Sequence, residues 1–151
     1  MQIRECLTYD DVLLEPHYSE IETRSSVSLE SKLGEGLVFD IPIIASPMDT
    51  VSEDLMAIEL GALGGVAVIH RYNTIEQQAA MVAMTKKLKK RVGAAVGATG
   101  DFMERTVALV NAGTDFICID VAHGHHKNVY EAIRKIRDSY GPSLHLSLIH
   151  I

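Results

Sequence analysis

No apolar run in the sequence reaches the ~18 residues that a membrane-spanning helix requires, so no helical span is expected. The chain also lacks a basic excess. Its 14 Lys and Arg face 20 Asp and Glu for a formal net charge of −6, the wrong sign for neutralising nucleic-acid phosphates. Cysteine is scarce. Cys6 and Cys118 stand too far apart for a metal-ligand spacing or a disulfide framework. The N-terminus lacks the charged-then-apolar layout of a secretory signal, which makes a reducing cytoplasm the expected compartment. Missing too is a G-x-G-x-x-G phosphate loop after the first long-range strand candidate.

What remains is a globular composition of domain length, 151 residues with 47% hydrophobic and 23% charged side chains. From residue 41 onward, short apolar runs alternate with helix-like stretches. Strand candidates start near residues 42, 66, 92, 116 and 144. Between them, Ser52 is expected to cap one helix, and Thr74 with Gln77 forms a capping box for a second, reaching about Lys89. A third helix should run from Asp101 to Ala112, and a fourth from Lys127 to Tyr140. One βα unit about every 25 residues, with strands apolar on both faces, describes a parallel sheet under helices. Two architectures satisfy it: an open doubly wound sheet, or a (β/α)8 TIM barrel. A barrel needs about 200 residues or more, so on that reading the chain holds four to five of its units. Residues 1–40 do not share the rhythm and read as an N-terminal arm laid against the barrel of 41–151. Half a barrel should leave two open sheet edges, an uncovered apolar interior and marginal stability.

Polar residues follow the apolar strands at Ser46-Pro47-Met48-Asp49, His70-Arg71, Gly97-Ala98-Thr99 and Asp120-Val121-Ala122-His123. In either architecture such strand ends are where chemistry gathers. The densest is Asp120 to Asn128, with three histidines. A metal site would use His123, His125, His126 and Asp120, but neighbours on a short loop rarely converge on one ion. A His–Asp pair would need Asp120 and His123 to face each other. The plainer expectation is that Gly124 permits a tight turn and the histidines border a mouth. Lys86 to Arg91 reads as a helix C-terminus complementing its dipole, and Cys118 as core packing. Met48 reads equally as packing at a strand end or, on an exposed loop beside Ser46 and Asp49, as cover for a flat aromatic ligand.

Several segments, in order, resemble the IMP dehydrogenase/GMP reductase family. They are Leu7 to Pro16, Ile43 to Val51, Met56-Ala57-Ile58, Gly64 to His70, Ile75 to Gln78, Val92 to Gly97 and Ile119 to His125. The resemblance implies a (β/α)8 barrel, usually a homotetramer, acting on a purine nucleoside monophosphate (IMP or GMP) with NAD or NADP. It implies that Ser46 and Met48 line the nucleotide site, with Met48 against the purine. Asp120 would hydrogen-bond the nicotinamide riboside, while Val121, Ala122, His70 and Arg71 border the cofactor cleft. In that family a cysteine thiolate attacks purine C2, and hydride passes to or from the nicotinamide. The dehydrogenase then hydrolyses the adduct to XMP, whereas the reductase releases ammonia and yields IMP.

The chain departs from the family pattern in two ways. The catalytic cysteine loop belongs to the second half of the barrel, matched by neither Cys6 nor Cys118, so the expectation is a chain without a catalytic residue and without turnover. The cation site (K+) of the family would also lie outside it. Second, the paired CBS modules that most dehydrogenases insert before the third strand are missing, since Lys86 to Arg91 runs straight into Val92. The expected activity is IMP dehydrogenase, ahead of GMP reductase. A non-catalytic nucleotide-binding half-barrel and a flavin-dependent barrel oxidoreductase are the rivals from other classes. Beyond Pro142 the pattern is lost, and Ser147 to Ile151 resembles sequencing-adapter read-through, so the natural protein is expected to diverge after about Ser143.

Overall fold

The computed structural model describes residues 4–149. A two-stranded antiparallel hairpin, β1 (Ser31–Gly34) and β2 (Leu37–Phe39), precedes a five-stranded parallel sheet. The sheet strands are β3 (Ile44–Ala45), β4 (Val66–Ile69), β5 (Val92–Val96), β6 (Phe116–Asp120) and β7 (His145–Ile149). Helices α1 (Asp54–Ala62), α2 (Ile75–Lys87), α3 (Phe102–Asn111) and α4 (Lys127–Tyr140) connect them in turn. The strands lie side by side in sequence order, with no crossover that reverses direction.

Side-chain parity decides between the two architectures. Ala67, Ile69, Val92, Ala94, Val96, Ile117 and Ile119 form one core with helix residues such as Ala57, Val82, Leu109, Val129 and Ile136. The alternate positions Val66, Val68, Ala95, Phe116 and Cys118 form a second core with Leu37 and Phe39 of the hairpin. Every helix therefore covers the same face of the sheet. A doubly wound sheet would place helices on both, so this is the curled half of a barrel.

The barrel interior is covered, contrary to the bare face expected of half a barrel. Val66, Val68, Ala95, Phe116 and Cys118 are each at most 1% exposed. Phe116 fills the space left by Gly93, where an added Cβ would come within 2.3 Å of the ring. The hairpin closes the end at which the strands begin. Arg91 Nη1 donates to the Gly36 carbonyl at 3.1 Å, and Gly34 sits beside the His145 ring. Residues 4–30 are exposed throughout, so the hairpin is the part of the N-terminal region that packs on the sheet.

Local chemistry sets the element ends. Thr74 accepts from the Gln77 amide and Gln77 returns to the Thr74 amide, completing the capping box of α2. The Glu76 carboxyl is held below its ordinary range by its own backbone amide and then by Thr74. Two boundaries differ from expectation. Helix α1 is capped at Glu53, because the Ser52 hydroxyl turns back to the Ser46 carbonyl instead. Strand β3 shrinks to two residues, since Pro42 and an Ile43-to-Ile41 turn displace the ladder. Ser147 to Ile149 pair with β6 in regular parallel register, while His150 and Ile151 of the suspected read-through tail lie outside the described residues.

Candidate functional site

The carboxyl ends of β3, β4, β5 and β6 stand together, and the polar side chains that follow them make the candidate site. Two consecutive residues leaving β4 organise it. His70 is 2% exposed and turns toward the loop after β3. Its Nδ1 accepts from the Tyr72 amide at 3.1 Å, so Nε2 carries the ring proton and donates to Glu53 Oε1 at 3.2 Å. Asp49 Oδ1 stands 3.8 Å from the same nitrogen. Arg71 turns the other way and donates through Nε to Asp120 Oδ2 at 3.3 Å.

On the Arg71 side lies a cleft of about 310 Å³, lined by Arg71, Gly97, Thr99, Val121, Ala122 and His123, with the start of α4 behind them. The volume is at the small end of the range for small-molecule sites. Asp120 does not line the cleft itself; it engages Arg71 through Oδ2 alone and its side chain is 18% exposed. Gly97, Ala98 and Ala122 carry nothing beyond a methyl group, which leaves the walls open to a flat ring.

The histidines after Asp120 divide their tasks. His126 caps α4, its Nδ1 accepting from the Asn128 amide at 3.2 Å. His125 Nδ1 lies 2.8 Å from the Tyr130 hydroxyl, and His123 remains at the cleft. Among the described residues, no group of three His, Cys, Asp or Glu side chains is placed to hold a metal ion.

Ser46 and Met48 lie on the loop after β3, with Met48 57% exposed. The Ser46 carbonyl accepts from the Met48 amide and from the buried Ser52 hydroxyl, so this loop is tightly wound. Of the expected cofactor-side residues, Arg71, Val121 and Ala122 line the cleft and Asp120 pairs at its edge. His70 turns toward Asp49 and Glu53, beside the loop after β3, because the β4 alternation puts successive side chains on opposite sides.

Sequence reasoning missed the buried support. Gln78 is fully buried and donates through Nε2 to the Ile69 and Ala95 carbonyls, bridging the ends of β4 and β5. Arg105 donates to Gln78 Oε1 at 2.9 Å, to the Asn73 carbonyl and to Asp101 Oδ2. Only the Asp101–Arg105 spacing of four was a visible signal for this network.

Cys118 is 1% exposed inside the half-barrel, and its thiol is pushed up to about 11, first by burial and then by Asp120. A protonated, enclosed thiol is no nucleophile.

Helices on one face of a singly wound parallel sheet, with acid, guanidinium and small residues at the strand ends, define the first half of a (β/α)-barrel protein. The chain belongs to the IMP dehydrogenase / GMP reductase family, whose domain it matches over residues 6–148. It is similar to the inosine-5'-monophosphate dehydrogenase of Cryptosporidium parvum, 34% identical over 174 residues, covering 87% of this chain and 43% of the relative. The corresponding enzyme of Borreliella burgdorferi is 32% identical over 193 residues, covering 95% of this chain and 47% of that one. A GMP reductase of Leishmania donovani is 45% identical over 83 residues, 55% of this chain and 17% of the relative. The chain thus spans about half the length of the dehydrogenases it matches along most of its own.

Proposed function

We propose that this chain supplies the nucleotide loop and one wall of the cofactor cleft in a barrel that oxidises IMP to XMP with a nicotinamide dinucleotide. The observation that carries the reading is the division of labour at the end of β4. His70 holds the loop bearing Ser46 and Met48, and Arg71 holds Asp120 at the cleft.

On this reading the Met48 side chain, exposed on a wound loop, covers the purine face, and Ser46 contributes polar contact. The donor set also fits a nicotinamide riboside. Asp120 offers carboxylate oxygen to ribose hydroxyls, Arg71 fixes that carboxylate, and Gly97 and Ala122 admit a flat ring. Bound there, the nicotinamide supplies the hydride acceptor, or the donor in the reductase direction. Val121 and Ala122 form part of the cleft wall. The enclosed, protonated Cys118 supports a nucleophile contributed from beyond these residues, so the chain alone binds without turning over. A K+ ion and tetrameric assembly belong to the same proposal.

The direct four-residue link from α2 to β5 supports a barrel without an inserted regulatory pair. The match to a Nitrosopumilus maritimus dehydrogenase runs over 264 residues, so that relative carries a long stretch with no counterpart here. GMP reductase is the second reading, favoured by the 45% identity to the Leishmania protein across 83 residues. Assay of a complete barrel carrying β3 to β7 of this chain separates them. IMP-dependent NADH formation selects the dehydrogenase, GMP-dependent NADPH consumption selects the reductase, and nucleotide binding without either reaction selects a binding module.

A further inference from the structure

His70 is the most buried of the charged or imidazole side chains at the strand ends, yet it does not line the cleft beside its neighbour Arg71. We propose that His70 is a positioning residue that fixes the Ser46–Met48 segment through Glu53, and so sets how the chain presents Met48 to a purine. The assignment of that segment to a purine rests on the proposed function, whereas the latch itself rests on geometry alone.

The loop needs holding. Thr50 sits at φ 59, a left-handed conformation that a β-branched residue adopts only under external constraint. The amides of Val51 and Ser52 both donate to the Met48 carbonyl, at 3.2 and 2.9 Å, which makes Met48 the pivot of the turn. One tie closes the turn on itself and two fasten it to the end of β4. The Ser52 hydroxyl donates to the Ser46 carbonyl, the His70 amide donates to the Ser52 carbonyl at 3.2 Å, and the His70 ring donates to Glu53. The last is a side-chain hydrogen bond reaching across from the end of β4, with Asp49 Oδ1 3.8 Å from the same nitrogen.

Its chemistry is specific to the ring. The Tyr72 amide occupies Nδ1, which forces the proton onto Nε2 and aims it at Glu53, with Asp49 as the further carboxylate on the same side. Both nitrogens of a buried imidazole need partners, and here the second partner is a carboxylate of the α1 N-cap residue. Glu53 is also free to act as the partner, because it caps α1 through its backbone and makes no side-chain cap bond.

The two ring nitrogens can be separated experimentally. In His70→Asn the amide oxygen replaces Nδ1 and the Glu53 contact is lost, whereas in His70→Gln the amide nitrogen replaces Nε2 and keeps it. Glu53→Ala removes the acceptor from the exposed side and serves if His70→Asn fails to fold. The readout is amide hydrogen exchange at Val51 and Ser52 in the full chain, normalised to the buried amides of β5. Loss of a hydrogen bond to a charged acceptor should speed exchange there by about tenfold in Glu53→Ala and His70→Asn, with His70→Gln close to the parent. Unchanged exchange in Glu53→Ala, or equal loosening in His70→Asn and His70→Gln, overturns the proposal. Titration of the same samples with IMP separates the two levels. Exchange that obeys this pattern while IMP fails to perturb Met48 keeps the latch and removes its purine role.

Discussion

His70 and Arg71 are neighbours in the chain and partners to opposite halves of the site, which follows from strand alternation at the end of β4. The sequence places both residues at a strand end but carries no sign of which way each turns. That depends on where Glu53 and Asp120 arrive from other elements. Gln78 and Arg105 illustrate the same limit, since a buried glutamine in a helix is read as surface until the carbonyls of Ile69 and Ala95 stand beside it. Replacing Arg105 by Met would leave Gln78 Oε1 and the Asn73 carbonyl without their donor. Urea unfolding should show a loss of about 2–3 kcal/mol, against near-neutrality for an exposed helix cation. Cys118 gives a prediction of the opposite kind. With its thiol raised to about 11 from an ordinary 9.0 and enclosed in the half-barrel, it stays protonated and out of reach at pH 8, so iodoacetamide should label exposed Cys6 and spare Cys118. The linkage sign follows. Between those two values the unfolded chain has lost the proton that the folded chain retains, so stability falls as pH rises through that window.

Among the elements, the helices were the most legible. The span Lys127–Tyr140 and the Thr74 capping box are found as read, because both depend on residues close in sequence. The start of α1 was misplaced by the Ser52 hydroxyl, whose bond to Ser46 is a loop contact with no periodic signature. Sheet packing depends on a pair that the sequence does not advertise, the Phe116 ring over Gly93 in the register β5 makes with β6. Gly93→Ala would drive a methyl group into that ring. It should cost about 1–3 kcal/mol or more in thermal or urea unfolding, and a compensating Phe116→Leu should recover part of the loss.

At the scale of the molecule, the barrel reading needed one fact that spacing could not provide, namely that all four helices cover the same face. The covered interior was also hidden, because it depends on the hairpin residues Leu37 and Phe39 closing over Val66, Val68 and Phe116. The family resemblance covered what periodicity left open, and the match over residues 6–148 bears it out. Methyl and amide NMR of the chain, titrated separately with IMP and NAD+, reports which nucleotide each strand end takes. IMP should shift Ser46 and the Met48 methyl, while NAD+ should shift Thr99, Asp120 and Val121. An IMP titration that leaves Met48 unmoved, or an NAD+ titration that perturbs the Ser46–Met48 loop and spares Asp120, would contradict this assignment.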